Sequence, residues 1–277
     1  MSEGRVTLTL GVAGACQHPE GMVLRHAPWR AASFPAMYAL IEHPREGLTL
    51  YDTGYAEAFL RETSPFPARL YRWLTPVTLG PRTSAAAQLR ARGVDPREVR
   101  RVVLSHFHAD HIAGARDFTE ARFVASREAY ASVSAGSAFA QLVRGFLPGL
   151  LPDDFLARVD FIEARDFNAQ GVGEFHRGFD LFGDRSVTLI GLPGHAAGQL
   201  GALIQGAEGR RHLLVADAAW TTASFKDNRP SHPLAGLIMD APSQARTTLA
   251  GLHRLSQADP ALDIIPSHCR FRLSACA

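Results

Sequence analysis

Apolar and polar residues alternate along the start of the chain in the manner of β-strands. The threonines at positions 7 and 9 alternate with apolar neighbours, which predicts a half-buried strand over Val6–Val12. Apolar, partly β-branched runs predict further strands at Ala36–Glu42, Leu48–Tyr51 and Arg101–Ser105. The first part of the chain is therefore predicted to be rich in strands.

Helical patterns follow residues that commonly cap helices. Thr83 or Ser84 is the predicted N-cap of a helix over Ala85–Arg92, which Gly93 ends. Further helices are predicted in three places: one capped by Ser126 and ending at Ser132, an amphipathic one over Phe139–Leu147, and one over Pro242–Leu255.

Strands return in the second half of the chain. The predicted strands after residue 120 are Phe123–Ala125, Ser186–Leu192, Leu200–Gln205, His212–Ala216 and Asp263–Pro266. No internal repeat, low-complexity tract or linker-like change in composition interrupts residues 1–277, so a single domain is predicted. Two strand-rich halves, each closed by helices, predict two sheets packed face to face with helices outside.

The composition narrows the possible partners. An apolar content of 46% allows a sizeable core, and 29 basic against 27 acidic residues, without a run of like charges, argue against nucleic-acid binding. No apolar stretch approaches the roughly 20 residues that span a bilayer, so no membrane partner is expected. Three scattered cysteines without a CxxC pair favour a reducing, cytoplasmic location.

A cluster of ligand-type side chains, HFHADH at residues 106–111, follows the predicted strand Arg101–Ser105. In extended backbone, residues two apart point the same way, so His106 and His108 can present their imidazoles to one metal. Asp110 and His111 follow where the chain turns and can reach a second position. Imidazole and carboxylate are ligands for zinc and other divalent metals. The alternative is a cluster of surface histidines.

Three further candidate ligands each follow an apolar strand in the second half of the chain. They are His195 in GLPGH, Asp217 in LLVAD and His268 in IIPSH. Proteins of the α/β class place their sites at strand ends. Any one of these residues alone would more often be a core or capping residue, but three in the same context indicate a metal centre.

The sequence resembles the metallo-β-lactamase superfamily in Asp52-Thr53-Gly54, HFHADH, Gly194-His195, Asp217 and His268. The resemblance implies a four-layer αββα sandwich of the α/β class, with two mixed sheets flanked by helices and two metals in the cleft between them. It also implies the metal ligands: His106, His108 and His195 for one metal, Asp110, His111 and His268 for the other, and Asp217 bridging both. Asp52 is either an orienting partner of a ligand histidine or a turn residue.

Hydrolysis is the predicted reaction. A hydroxide held between two divalent metals forms near neutral pH, and the metals also polarise a carbonyl or phosphoryl oxygen. Asp110 is the candidate to pass a proton to the leaving group, with pure ligation as the alternative role. Zinc is the first expectation for both metals, and manganese, iron and cobalt suit the same ligands.

Within the superfamily, the segments at residues 193–204 and 217–236 resemble the N-acyl-homoserine lactonase branch. That branch has a tyrosine three residues after the bridging aspartate, where this chain has Trp220. The function predicted is opening of a lactone or cleavage of a small carboxylic ester. The alternatives are a thioesterase or phosphodiesterase with the same metals, and a signalling or binding protein with slight hydrolysis.

The expected substrate is a small molecule with an apolar acyl or aromatic part. Trp220 and Phe225 are predicted to line the mouth of the site. The apolar segment at 139–155 is either a lid or groove wall, or a helix packed on the sandwich. Arg270 and Arg272 are interpreted as a solvated tail, with contact to an acidic substrate group as the alternative.

Overall fold

The computed structural model describes residues 5–269, and two β-sheets form its centre. The strands of the first sheet are β1 (Thr7–Pro19), β2 (Ala31–His43), β3 (Gly47–Tyr51), β4 (Val77–Thr78), β5 (Val99–Leu104), β6 (Arg122–Ser126) and β7 (Val159–Ile162). Their spatial order is β4-β1-β2-β3-β5-β6-β7. The sheet is mixed, because β1 and β2 pair antiparallel whereas β3, β5, β6 and β7 run parallel.

The second sheet contains the remaining strands of the described part. They are β8 (Ala169–Val172), β9 (Phe175–Asp180), β10 (Val187–Gly191), β11 (Leu200–Gln205), β12 (Arg211–Ala216) and β13 (Leu262–Pro266). Their spatial order is β13-β12-β11-β10-β9-β8, and only the pair β12 and β13 is parallel among them. This sheet is therefore also mixed.

Short helices connect the strands. They are α1 (Glu20–Val23), α2 (Glu57–Glu62), α3 (Arg69–Leu74), α4 (Ala85–Ala91), α5 (Ala109–Ile112), α6 (Arg127–Ser134), α7 (Ala138–Val143), α8 (Phe155–Arg158), α9 (Thr222–Lys226) and α10 (Pro242–Ala258). Turns of 3-10 helix lie at Pro96–Glu98, Ala115–Asp117, Pro148–Leu150, Ala164–Asp166, Ala207–Gly209 and Pro233–Ile238. None of the helices in the described part has both the length and the apolar character that spanning a bilayer requires.

Three apolar clusters divide the molecule into four layers. The middle one joins the facing sides of the two sheets, with Val103 from the first and Leu189 from the second. Another lies between the first sheet and its helices and includes Leu89 of α4. The third lies between the second sheet and α10 and includes Leu252. This αββα arrangement confirms the predicted fold class.

The boundaries of several elements differ from those predicted. β1 continues past Val12 to Pro19 through a bulge, and Ser84 rather than Thr83 caps α4, because its Oγ accepts the N–H of Ala87. The helix expected over Phe139–Leu147 ends at Val143, because the backbone turns to positive φ at the following Gly145. Cys276, Arg270 and Arg272 lie outside the described residues.

Candidate metal centre

The candidate ligands lie where strands of both sheets end at the cleft. The segment Ser105–His111 follows β5 of the first sheet, and the backbone N–H of Leu200 in β11 donates to the carbonyl of Ser105. His195 follows β10, Asp217 follows β12 and His268 follows β13. The topology therefore brings residues far apart in sequence to one place between the sheets.

The structure brings the seven predicted ligands together in two groups. In each group, one ligand atom from every residue lies within 4.8 Å of the others; the first group is His106, His108, His195 and Asp217, and the second is Asp110, His111 and His268. These groups match the division that the resemblance implies.

In the first group, the ligand atoms lie near enough to share one ion. Nδ1 of His108 is 2.9 Å from Nε2 of His195, which in turn is 3.2 Å from Oδ2 of Asp217. Two ligands at 2.0–2.1 Å from a tetrahedral metal would be about 3.3 Å apart. The observed separations are close to that value.

In the second group, the atoms surround a neighbouring position. Oδ2 of Asp110 lies 3.6 Å from Nε2 of His111 and 3.4 Å from Nε2 of His268. Oδ1 of Asp217 lies 3.3 Å and 3.1 Å from the same two nitrogens. Asp217 thus turns one carboxylate oxygen towards each group, which is the geometry of a bridging ligand.

Buried atoms without partners show that this cluster fits a cation. Nε2 of His106, Nε2 of His111 and Oδ1 of Asp217 are buried without a hydrogen-bond partner among the described residues. Leaving such a group unsatisfied costs about 1–3 kcal/mol. A divalent metal would satisfy these atoms together, and a mixed nitrogen and oxygen donor set suits zinc and its neighbours.

Hydrogen bonds to residues around the cluster orient two of the candidate ligand rings. Nδ1 of His111 donates to Oδ2 of Asp52 over 2.7 Å, and Nδ1 of His268 donates to the carbonyl of Pro35 over 2.7 Å. Both rings therefore direct Nε2 towards the cluster. Asp52 also accepts from the backbone N–H and the hydroxyl of Ser105, at 2.8 Å each. The structure thus places Asp52 where an orienting partner of a ligand histidine would be.

The charges of the metal-free cluster follow from burial and from neighbouring groups. Burial lowers the pKa of His106 well below its usual value and that of His195 to about 3, so both rings are neutral. Burial disfavours the charged form of Asp217 as well, but His268, His111 and His195 outweigh it and hold the pKa of this carboxyl well below its usual value. Despite burial, nearby carboxylates in turn raise the pKa of His111 well above its usual value and that of His268 to about 8. The metal-free cluster therefore combines neutral rings at His106 and His195 with protonated rings at His111 and His268 around the Asp217 carboxylate, and a metal would displace those protons.

Of the two aromatic residues predicted to line the mouth of the site, Trp220 contacts the cluster and Phe225 lies in the core. The indole Nε1 of Trp220 donates to Oδ2 of Asp217 over 2.9 Å, and its ring meets that of His195 edge to face. Phe225 is only 2% exposed and belongs to the core between the second sheet and α10. The prediction that Phe225 lines the mouth is wrong, because α9 turns this side chain inward.

The segment at 139–155 packs on the first sheet and also borders the cluster. Leu142 and Phe146 are buried in the first core, whereas Phe139 and Val143 are exposed. A Cβ added at Gly145 would lie 2.9 Å from Cδ2 of His108. Sequence reasoning missed this contact as well as the role of Ser105, although the position of Ser105 directly before the motif could have suggested it.

The four-layer sandwich and the His/Asp cluster in its cleft define the class of metal-dependent hydrolases. Residues 34–268 match the family described as the metallo-beta-lactamase superfamily. The match covers most of the chain, and the chain belongs to this superfamily. It is a hydrolase of that family.

Relatives with known names are similar to most of the chain. N-acyl homoserine lactonase AttM of Rhizobium johnstonii is 30% identical over 199 residues, which are 70% of this chain and 68% of the relative. A probable metallo-hydrolase of Mycobacterium tuberculosis is 29% identical over 285 residues, covering 96% of this chain and 86% of the relative.

Solved structures show the same fold. A structure of N-acyl homoserine lactone hydrolase, with the product N-hexanoyl-L-homoserine at its catalytic metal centre, has a TM-score of 0.77. The similarity covers 99% of this chain and 97% of the other, at 20% identity.

Proposed function

We propose that the protein is a dinuclear metal-dependent hydrolase that opens a lactone or cleaves a small carboxylic ester. The observation that carries this proposal is the position of Asp217, whose two carboxylate oxygens face the two groups of candidate ligands at 3.1–3.3 Å. A residue placed in this way joins two metal positions into one centre.

The relatives support a lactone as the substrate. A lactonase of N-acyl homoserine lactones aligns with 70% of the chain, and a hydrolase of the same lactones shares its fold. Lactones and small carboxylic esters present the same carbonyl group to the site. Zinc is our first expectation for both ions, since imidazole and carboxylate are common zinc ligands. The same donor set also accommodates manganese, iron or cobalt.

The candidate ligands have two tasks in this reaction: they hold the metal ions, and one of them transfers a proton to the leaving group. Divalent ions bound by the two groups would lower the pKa of water and polarise the substrate carbonyl. Asp110 has the most exposed side chain among the ligand carboxylates, 12% against 5% for Asp217. A substrate that enters from solvent can therefore bring its leaving group within reach of Asp110. We assign to Asp110 the transfer of a proton to that leaving group.

Trp220 does not present a free donor to the substrate in this arrangement. Its Nε1–H is directed to Asp217, so the substrate carbonyl lacks the hydroxyl donor of the relatives in the lactonase branch. Loss of one oxyanion donor typically reduces the rate about 10²–10³-fold. We therefore expect slower lactone opening than in relatives that have the tyrosine.

The test is proton release at constant pH from N-hexanoyl homoserine lactone by zinc- and manganese-loaded protein. A 4-nitrophenyl ester, a thioester and bis(4-nitrophenyl) phosphate are measured beside it. We expect metal-dependent hydrolysis of the lactone or the ester, abolished in Asp217→Ala and strongly reduced in Asp110→Asn. Hydrolysis of the thioester or phosphodiester alone would overturn the substrate class, and no metal-dependent hydrolysis would overturn the function.

A further inference from the structure

A cavity of about 360 Å³ lies beside Asp217 and Trp220. Its wall is formed by the segment after β12, by the first turns of α10, by the turn Pro233–Ile238 and by the residues that follow α1. This volume is within the range of small-molecule sites, roughly 300–1,000 Å³. Because Asp217 and Trp220 are part of the wall, the cavity borders the candidate metal centre at the bridging candidate Asp217.

Three arginines from separate segments line this cavity: Arg25, Arg229 and Arg246. Arg25 follows α1, Arg229 follows α9, and Arg246 lies on α10. Of the acidic residues that the structure describes, Asp217 alone belongs to the wall, and its carboxylate is directed to the ligand histidines. The wall therefore carries an excess of positive charge.

Hydrogen bonds hold the backbone of Arg25 and the guanidinium of Arg229 in place. The N–H of Arg25 donates to the carbonyl of Pro230 over 2.9 Å, and the N–H of His232 donates to that of Met22 over 3.0 Å. Nη2 of Arg229 donates to the carbonyl of Arg25 over 2.8 Å. These bonds join the chain after α1 to the chain after α9, so this part of the wall is preformed.

The guanidinium groups are largely unneutralised. Arg229 has a distant ion pair with Asp227 at 3.9 Å. Within residues 5–269, neither Arg25 nor Arg246 forms an ion pair. A guanidinium binds a carboxylate through two parallel hydrogen bonds, and its charge steers anions towards the site.

The rest of the wall is mainly apolar. Leu237, Met239 and Leu249 contribute apolar side chains to the same wall as the arginines. Apolar surface beside a cationic end suits a molecule with a hydrocarbon or aromatic stem and one anionic end. Such a molecule would place its carbonyl at the cluster and its charge among the arginines.

We propose that the substrate of this hydrolase is anionic: a lactone or ester whose acyl part ends in a carboxylate that Arg25 and Arg246 bind. This inference rests on the proposed function and specifies its substrate class. It adds an anionic end to the apolar acyl or aromatic part that the sequence predicts, because the three arginines come from segments that only the fold brings together.

The kinetic test compares two chromogenic esters that differ at the far end of the acyl chain, mono-(4-nitrophenyl) adipate and 4-nitrophenyl hexanoate. We expect kcat/KM of the metal-loaded protein to be at least roughly ten-fold higher for the adipate, the effect of one charge-assisted contact. Arg25→Gln and Arg246→Gln should each reduce that ratio towards one. Arg254→Gln is the matched control, because Arg254 lies on the same helix but pairs with Glu174; it should keep the ratio.

A binding test separates this inference from the proposed function. Adipic acid monoanilide and hexananilide resist hydrolysis, and their binding to the metal-loaded protein is measured by calorimetry. Tighter binding of the monoanilide, lost in Arg246→Gln, supports the anionic site even if neither the esters nor the lactone is hydrolysed, in which case the proposed function fails. Equal or undetectable binding of the two anilides, or equal kcat/KM for the two esters, overturns the inference and leaves hydrolysis of a neutral lactone standing.

Discussion

The indole Nε1 of Trp220 donates a hydrogen bond to Oδ2 of Asp217 over 2.9 Å. The carbonyl of the same tryptophan accepts the backbone N–H of His268 over 3.2 Å. Trp220 therefore links the carboxylate of Asp217 to the strand end that carries another candidate ligand. Contacts of this kind orient ligands and tune metal affinity in metalloproteins.

Replacing Trp220 by phenylalanine should weaken metal binding. The ring is kept, but the donor to Asp217 is lost, and loss of such an outer partner typically costs 10–100-fold in metal affinity. The measurement is zinc affinity by competition with a chromogenic chelator. Trp73→Phe serves as the control, because Trp73 is 67% exposed and should leave the affinity unchanged. Equal affinities of the two variants would show that the indole does not orient Asp217.

Asp52→Asn should reduce metal affinity by a similar factor, roughly 10–100-fold. Asparagine keeps the shape and accepts the positive φ of 54° at this position, but it removes the charge that holds Nδ1–H of His111. The chelator competition is repeated with Asp160→Asn as the control, since Asp160 forms an exposed pair with Arg122. An affinity equal to that of the control would mean that Asp52 acts only in the turn.

The cluster of candidate ligands could be predicted from the sequence because the patterns that indicate it lie within short segments of the chain. The spacing of His106, His108 and His111 is set by six consecutive residues, and the other candidates follow apolar runs that predict strands. Strands β8 and β9 were missed because they have few buried positions; β8 is at the edge of the second sheet, and β9 lies between β8 and β10. Strands with so few buried positions lack the apolar alternation on which such predictions depend.

Contacts between distant segments could not be predicted in this way. The inward side of α9, which buries Phe225, is decided by α10 and the second sheet, and nothing in TASFK alone selects it. The three cavity arginines come from positions 25, 229 and 246, and contacts such as the hydrogen bond from Arg25 to Pro230 bring the first two together. The burial of Phe225 and the lining of the cavity therefore depend on tertiary packing rather than on local motifs.

Metal removal should lower the thermal stability of the protein. Ions that bind the folded chain alone stabilise it by about 2.7 kcal/mol when free metal is 100-fold above the dissociation constant. For a chain of this size that corresponds to roughly 5–10 °C in Tm. Differential scanning calorimetry of chelator-treated and zinc-reloaded protein measures the difference, with Asp217→Ala expected to show little response to zinc. Equal Tm values for the treated and reloaded wild type would contradict a metal centre in this cluster.

Gly145→Ala tests whether the segment after α7 supports the first group of ligands. Gly145 has φ of +71°, and an added Cβ would lie 2.9 Å from Cδ2 of His108. Gly93→Ala is a close control, because Gly93 has φ of +80° and no atom within 4 Å of the added Cβ. Each variant should lose roughly 1–2 kcal/mol of unfolding free energy to backbone strain. Only Gly145→Ala should also displace the ring of His108, so elemental analysis should find less bound metal in that variant than in the control. Full metal content in both would show that the backbone at Gly145 does not constrain His108.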